Sequence, residues 1–376
     1  MQKRAEGATA KPMNERFDVA VIGAGPAGTA AAITTARLGA RILLLERGRY
    51  PRHKVCGEFI SPESSGLLHA LLEESGEGAL LDNAVRITWA RVFADGKQLQ
   101  ARLQPAALSI ARFDLDSALW RAAGNAGAEC RQQITVESVQ GKHIFVLKTS
   151  AGDLEARTVI NAAGRWPGGQ GAAAKAKAPE GAKWLGLKAH FLEGLGDAEA
   201  SVDLYFFEGG YCGVQPVGSG QVNVCAMVRG DIATTLEQVF AANQKLWRRS
   251  RRWEQATPLV ATSPLIFREP RPLNGEILNV GDAAGFVDPF VGDGISVALR
   301  SGSLAAEVLR KSESLQWAAG RYRAEYEKHF LPVFRNAARV RRVLSFPAAM
   351  RKMALRVLRA PGMAEFVVEK TRIRSR

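Results

Sequence analysis

The sequence predicts an α/β fold: a Rossmann-like nucleotide-binding domain, an inserted antiparallel-sheet domain for the substrate, and a C-terminal helical tail. Three observations predict it. First, the short apolar run Phe17 to Ile22 stops at a glycine turn, an Ala-rich helical stretch from Pro26 to Leu38 follows, and a second apolar run spans Arg41 to Leu45, together a βαβ unit. Second, alternating aromatic-rich segments with glycine turns, Val85 to Leu103 and Trp184 to Val228, read as antiparallel sheet. Third, a strand at Ile277 to Val280, a glycine-rich turn and a helix at Ile295 to Arg310 return to the first pattern.

The 376 residues suit two domains or one large discontinuous one. The expected division is a disordered lead-in at 1–15 and a nucleotide-binding domain from 16–84, 104–170 and 271–314. The sheet domain takes 85–103 and 171–270, and a basic helical tail 315–376. Between these, Leu115 to Gly124 reads as a helix, and Ile134 to Val139 with His143 to Lys148 as a hairpin around Gly141. Gln170 to Ala182 has almost nothing to bury and is expected to be a surface loop.

Apolar residues at 47% and charged residues at 23% are ordinary globular usage, which excludes a disordered, collagenous or disulfide-stapled chain. The net charge of +14 attracts anions: cofactor phosphates, nucleic acid or anionic lipid. Met1 to Arg16 lacks the apolar stretch of a secretory signal or anchor. Cys56, Cys130, Cys212 and Cys225 show no C-x-x-C spacing, so reduced thiols and a cytoplasmic location are expected. His53, His69, His143, His190 and His329 form no metal-ligand pattern; no metal site is expected, and each histidine reads as a surface or satisfied core residue.

The glycine turn is Gly23-Ala-Gly25-Pro-Ala-Gly28. In such a turn the first glycine permits the bend, the second lets a diphosphate approach bare backbone, and the third lets helix and strand pack closely. Pro26 suits the first helical position, where its missing N–H would have had no partner. The free amides and the positive helix end then face the phosphates. Glu46 closes the second strand 18 residues past Gly28, where a carboxylate can accept from ribose hydroxyls.

With Ala27 in the turn and Glu46-Arg47 at the strand end, this segment resembles the FAD site of flavoproteins with the para-hydroxybenzoate hydroxylase fold. Gly281-Asp282-Ala-Ala-Gly285-Phe-Val-Asp288-Pro289-Phe-Val-Gly292-Asp-Gly294 resembles that family's second FAD motif. The resemblance implies that Asp282 binds the ribityl chain and that Pro289, Gly292 and Gly294 lie against the flavin ring. Arg112-Phe-Asp-Leu-Asp116 is similar to the segment whose Arg approaches the FAD phosphates, with a helix-surface salt bridge as the alternative for Arg112. Gly164, in Asn161-Ala-Ala-Gly164-Arg165, sits at the family's A-x-G or D-G turn. These matches span about residues 17 to 310 in the family's order and imply FAD as the tight cofactor. No second G-x-G-x-x-G unit is present, so NAD(P)H is expected as a transient electron donor.

Lys54-Val-Cys56-Gly57 with Pro62 resembles geranylgeranyl reductases, whereas Gly57-Glu58 with Pro62 is similar to flavin-dependent halogenases. Cys56 is a candidate proton donor, with a small buried thiol as the alternative. Tyr211-Cys-Gly-Val-Gln-Pro216 stands where halogenases carry two tryptophans, and their absence argues against halogenation. Tyr211, Val214 and Pro216 are expected to line the substrate pocket. The leading expectation is an NAD(P)H-driven FAD monooxygenase acting on a hydrophobic aromatic, polyketide or isoprenoid small molecule. The alternatives are flavin-dependent reduction of carbon–carbon double bonds and a non-catalytic or RNA-binding flavoprotein, although nucleic-acid signatures are absent. The arginines of 335–376 alternate with Val, Leu, Phe and Met, a pattern that can lie on an anionic membrane or pack one apolar face on the body.

Overall fold

Two sheets share the chain in alternation. The computed structural model describes residues 15–165, 183–194 and 200–344; the expected lead-in, the loop at 170–182 and the end of the tail fall largely or wholly outside them. The first part of the chain forms β1 (Arg16–Ile22), α1 (Pro26–Arg37), β2 (Ile42–Glu46), β3 (Phe59–Ile60), α2 (Pro62–Glu73), α3 (Ala79–Asp82), β4 (Val85–Ala94) and β5 (Lys97–Ser109). Then come α4 (Arg112–Asn125), β6 (Glu129–Gln132), β7 (Val136–Gly141), β8 (Phe145–Thr149), β9 (Gly152–Asn161), β10 (Trp184–Leu192), β11 (Ser201–Phe207), β12 (Gly210–Gly218) and β13 (Gln221–Arg229). The chain continues with α5 (Leu236–Ala241), α6 (Gln244–Ser250), β14 (Glu254–Gln255), β15 (Val260–Thr262), β16 (Leu273–Asn274), β17 (Ile277–Asn279), α7 (Gly294–Arg310), α8 (Leu315–His329) and α9 (Leu331–Leu344).

The first sheet runs β16-β17-β9-β1-β2-β6, with β8 added to β9 and β7 to β8. Its centre, β17 through β6, is parallel. All five residues of β2 are buried, as expected of a strand covered on both faces. Because β1 has β2 on one side and β9 on the other, the order of strands reverses there, and a crevice opens at its carboxyl end. Helix α1 presents Ala27, Ala30 and Ala31 to α7. A Cβ at Gly302 of α7 would stand 2.1 Å from the Ala27 carbonyl oxygen, so the two helices meet at a distance only glycine allows.

The second sheet runs β14-β10-β13-β12-β11-β4-β5-β3, with β15 also on β10, and is antiparallel except where β11 meets β4. Strand β5 continues through Ser109, so the expected boundary at 103/104 falls inside a strand. Strand β3 pairs with Ser109 and Leu108 of β5, which ties the segment after β2 to the second sheet. This pairing could not be foreseen from a two-residue strand. The tail is partly core: Tyr322 and Tyr326 of α8 are buried, and the Tyr322 hydroxyl donates to the Asn279 carbonyl at 2.8 Å. Among the described residues no helix is long and apolar enough to cross a membrane.

Candidate functional site

A cavity of about 720 Å³ opens at the carboxyl end of β1 and extends across one face of the second sheet. Its first end is the glycine turn. Gly25 caps α1 with extended backbone and Pro26 occupies the first helical position. Gly28 and Gly25 answer to different constraints. A Cβ at Gly28 would come within 1.8 Å of the Gly23 carbonyl oxygen, a backbone collision that admits no larger residue. A Cβ at Gly25 would meet nothing nearer than Arg112 Nη2 at 3.9 Å and Lys54 Nζ at 4.0 Å. Gly25 is thus bare toward the cavity, and two cations face it.

Those cations fit an anionic group. Arg112 is largely buried, makes a two-pronged ion pair with Asp116 at 2.7 and 2.8 Å, and lines the cavity. Among the described residues no carboxylate lies within ion-pair distance of Lys54, which the sequence reading left unassigned. Burial, then the Arg112 charge, lowers the Lys54 pKa from its ordinary value. A diphosphate beside Gly25 would give this ammonium the counter-charge it lacks.

Glu46 also reaches the cavity wall, with its carboxylate engaged by the protein. It accepts from Ala24 N–H at 3.0 Å and Gly48 N–H at 2.7 Å and pairs with Arg52 at 2.8 Å. Burial opposes its charge, but Gly48, Arg52 and Ala24 together hold the carboxyl below its ordinary range. An ionised acceptor is therefore present at the expected place, shared with Arg52. Arg47, Ala27, Gly164, Asp282, Pro289, Gly292 and Gly294 line the same cavity. Asp282 sits in a one-turn 3-10 segment, Gly281–Ala283. Burial raises its pKa, against Arg165 and Arg112. Gly294 begins α7, and Pro289–Val291 forms a turn just before it.

The other end is apolar and aromatic. Tyr211 lines it with Met227, Leu265, Phe286 and Phe290, the Tyr211 and Phe290 rings meeting edge-on at 6.3 Å. The wall continues over Ala90, Val92, Val202, Leu204 and Phe206 of the sheet. Two expectations need correction here. Val214 packs with Cys212 into the core on the far side of the sheet, and Pro216 shares its parity; neither lines the cavity. Successive side chains of a strand alternate between faces, so with Tyr211 inward it is Gly213 and Gln215 that follow it to the cavity.

Cys56 stands where the two ends meet. Its thiol accepts from Glu58 N–H at 3.3 Å, and its carbonyl accepts from Asn223 Nδ2 at 3.0 Å. Burial raises the thiol pKa, outweighing nearby Arg112, so the proton is retained.

A buried charge cluster beside Cys56 escaped the sequence reading. Glu58, with a left-handed backbone (φ 59°), lies 3.0 Å from Lys188 Nζ and 2.7 Å from His190 Nε2, and accepts from Arg112 N–H at 2.9 Å. His53 lies 3.4 Å from Lys188. His190 is a satisfied core residue, as its sequence context suggests, but what satisfies it is 132 residues away. The available signal was Lys188 and His190 alternating within the otherwise apolar strand Trp184–Leu192.

Comparison with known proteins agrees with this geometry. A family profile described as FAD dependent oxidoreductase matches residues 18–51, the βαβ unit and its acidic end. The chain is 27% identical over 339 residues to a menaquinone reductase of Mycobacterium tuberculosis, covering 79% of this chain and 77% of that one. It is 28% identical over 351 residues to digeranylgeranylglycerophospholipid reductase 2 of Methanopyrus kandleri, covering 88% and 87%. Among solved structures, a geranylgeranyl bacteriochlorophyll reductase-like protein from Thermoplasma acidophilum superposes with a TM-score of 0.74 at 21% identity, over 95% of this chain and 96% of that one. The flavin-dependent brominase Bmp2 gives 0.75 at 17%, over 95% and 93%. With the turn, the second motif and the two-sheet architecture in agreement, this chain has the fold of these flavoproteins and is an FAD-dependent oxidoreductase.

Proposed function

We propose that the chain reduces carbon–carbon double bonds in an isoprenoid lipid or an isoprenoid quinone, with FAD bound at the glycine turn and NAD(P)H as the transient electron donor. The observation that carries this reading is the continuity of the cavity: a cation-lined turn at one end, an apolar and aromatic sheet face at the other, and a protonated thiol between. The reductase relatives support reduction over the hydroxylation that the sequence alone put first.

Reduced FAD supplies a hydride in such a reaction. The chain's own residues have separate tasks. Gly25, Lys54 and Arg112 bind and charge-balance the diphosphate, and Glu46 and Asp282 accept from hydroxyls. The aromatic ring of Tyr211 and its apolar neighbours orient an isoprenoid chain and exclude water. Cys56 holds a proton at its Sγ, within the cavity, available for the carbon that does not receive the hydride.

Anaerobic mixing of the dithionite-reduced, FAD-loaded protein with menaquinone or a geranylgeranyl lipid tests this directly. Mass spectrometry should find two hydrogens added at a double bond as the flavin is reoxidised. Reoxidation by oxygen alone, with an oxygen atom in the product, overturns the reading in favour of the hydroxylating alternative. Cys56→Ser should slow the reaction while leaving FAD binding unchanged.

A further inference from the structure

Charge is distributed unevenly along this chain. Residues 331–376 hold 12 Arg and Lys against 2 Asp and Glu, a net of +10, whereas residues 1–330 hold 39 against 35, a net of only +4. Helix α9 begins that basic stretch. Its exposed residues Pro332, Arg335, Arg339 and Arg342 recur at intervals of three and four, which places them on one stripe. Val333, Phe334 and Ala337 are buried on the opposite face.

Between the two faces α9 touches the cavity. Val340 forms part of its wall, and Arg341 turns inward to Asp288 at 3.1 Å and lies over the Phe267 ring at 4.1 Å. The stripe arginines are different. Among the described residues none of Arg335, Arg339 and Arg342 has an ion-pair partner, and the one contact of their head groups is Arg339 Nη1 donating to Asn336 Oδ1 at 3.2 Å.

We propose that the Arg335–Arg339–Arg342 stripe of α9 docks the protein on an anionic bilayer, setting the cavity wall at Val340 within about one helix diameter, roughly 10 Å, of the lipid. Charge complementarity selects an anionic partner. Two features select a bilayer over nucleic acid. Downstream in sequence, Arg351, Lys352, Arg356 and Arg359 are interleaved with Met353, Leu355, Val357 and Leu358, an apolar content that suits the headgroup boundary. The cavity that the helix borders is itself lined by apolar side chains. Delivery of substrate from that bilayer rests on the lipid reading above; the docking does not.

The test is co-sedimentation of the full-length, FAD-loaded protein with vesicles of phosphatidylcholine alone or with roughly one-third phosphatidylglycerol. Binding is expected only with the anionic vesicles, and it should weaken as salt rises from about 0.1 M to about 1 M, where screening shortens to about 3 Å. Combining Arg335→Glu, Arg339→Glu and Arg342→Glu should lower the partition roughly a hundredfold, about fivefold per arginine, with melting temperature and flavin content unchanged. Equal binding to both vesicles, no binding, or an unaffected triple variant overturns the proposal. Tighter binding to single-stranded RNA than to anionic vesicles overturns it in favour of nucleic acid. Turnover separates the two readings. Loss of the triple variant's activity on vesicle-borne but not detergent-dispersed lipid supports both, whereas an inactive wild type that still binds vesicles rejects only the reductase.

Discussion

The two ends of the cavity are built on opposite plans. At the glycine turn the lining is mostly backbone, with a helix end and a nearby carboxylate, and Lys54 and Arg112 arrive from outside the turn. At the sheet the lining is side chains, an aromatic and aliphatic wall of Tyr211, Met227, Phe286 and Phe290, with Cys56 at the border. A backbone site tolerates few sequences because a Cβ is enough to fill it, while a side-chain wall can be rebuilt by substitution. That difference agrees with a fold whose solved relatives include both reductase-like and halogenating proteins.

The contrast is broken most severely at the turn itself. Gly28→Val, whose Cβ would lie 1.8 Å from a backbone oxygen, should prevent folding and give no soluble protein. Gly25→Val, with nothing nearer than 3.9 Å, should fold and melt normally yet purify without flavin absorbance. If both variants behave alike, packing and cofactor recognition are not separate at this turn.

Next in size is Glu58→Ala, which strands Lys188 in a buried site and should cost about 3–5 kcal/mol in urea unfolding. Burial alone would raise the Glu58 carboxyl, but His190 and Lys188 bring it below its ordinary range. Its contribution to stability is therefore present above the unfolded carboxyl pKa of about 4.3 and lost as pH falls through the folded value. Glu58→Ala should flatten that acid limb.

Glu46→Ala should weaken FAD binding by about 1–3 kcal/mol, roughly five- to 150-fold in Kd, read by flavin fluorescence on titrating the apoprotein. Unchanged affinity would mean that Glu46 serves only Arg52, Ala24 and Gly48 and not the cofactor.

The smallest effect concerns Asp288, whose carboxyl is raised by burial to about 6 despite Arg341. Its stabilising share is complete below the ordinary value of 3.8 and is lost as pH rises through about 6. The melting temperature should fall by a few degrees from about pH 5 to about pH 7, and Asp288→Asn should remove that slope.

What could be read in advance follows the same division. The βαβ unit, the roles suggested for Gly23, Gly25 and Gly28, and the spacing to Glu46 depend on residues close in sequence, where local turn chemistry leaves few alternatives. On β12 the expected lining of Tyr211, Val214 and Pro216 mixed the two faces of the strand. Tyr211 faces the cavity while Val214 faces the core, because pairing with β11 and β13 decides which parity points inward. The union of Glu58 with Lys188 and His190 was illegible for a related reason: one partner lies in the loop after β2 and the others on β10.

The sequence by itself determined the alternation of α/β and antiparallel segments, the diphosphate-type turn and the surplus of positive charge at the carboxyl end, because each is a property of short windows or of counting. Only the tertiary structure decided that Lys54 and Arg112 converge on Gly25, that Cys56 sits at the border of two chemistries, and that α9 has one side on the cavity and an arginine stripe on the other. Those are contacts between distant segments, and their free energy depends on packing that no local window contains.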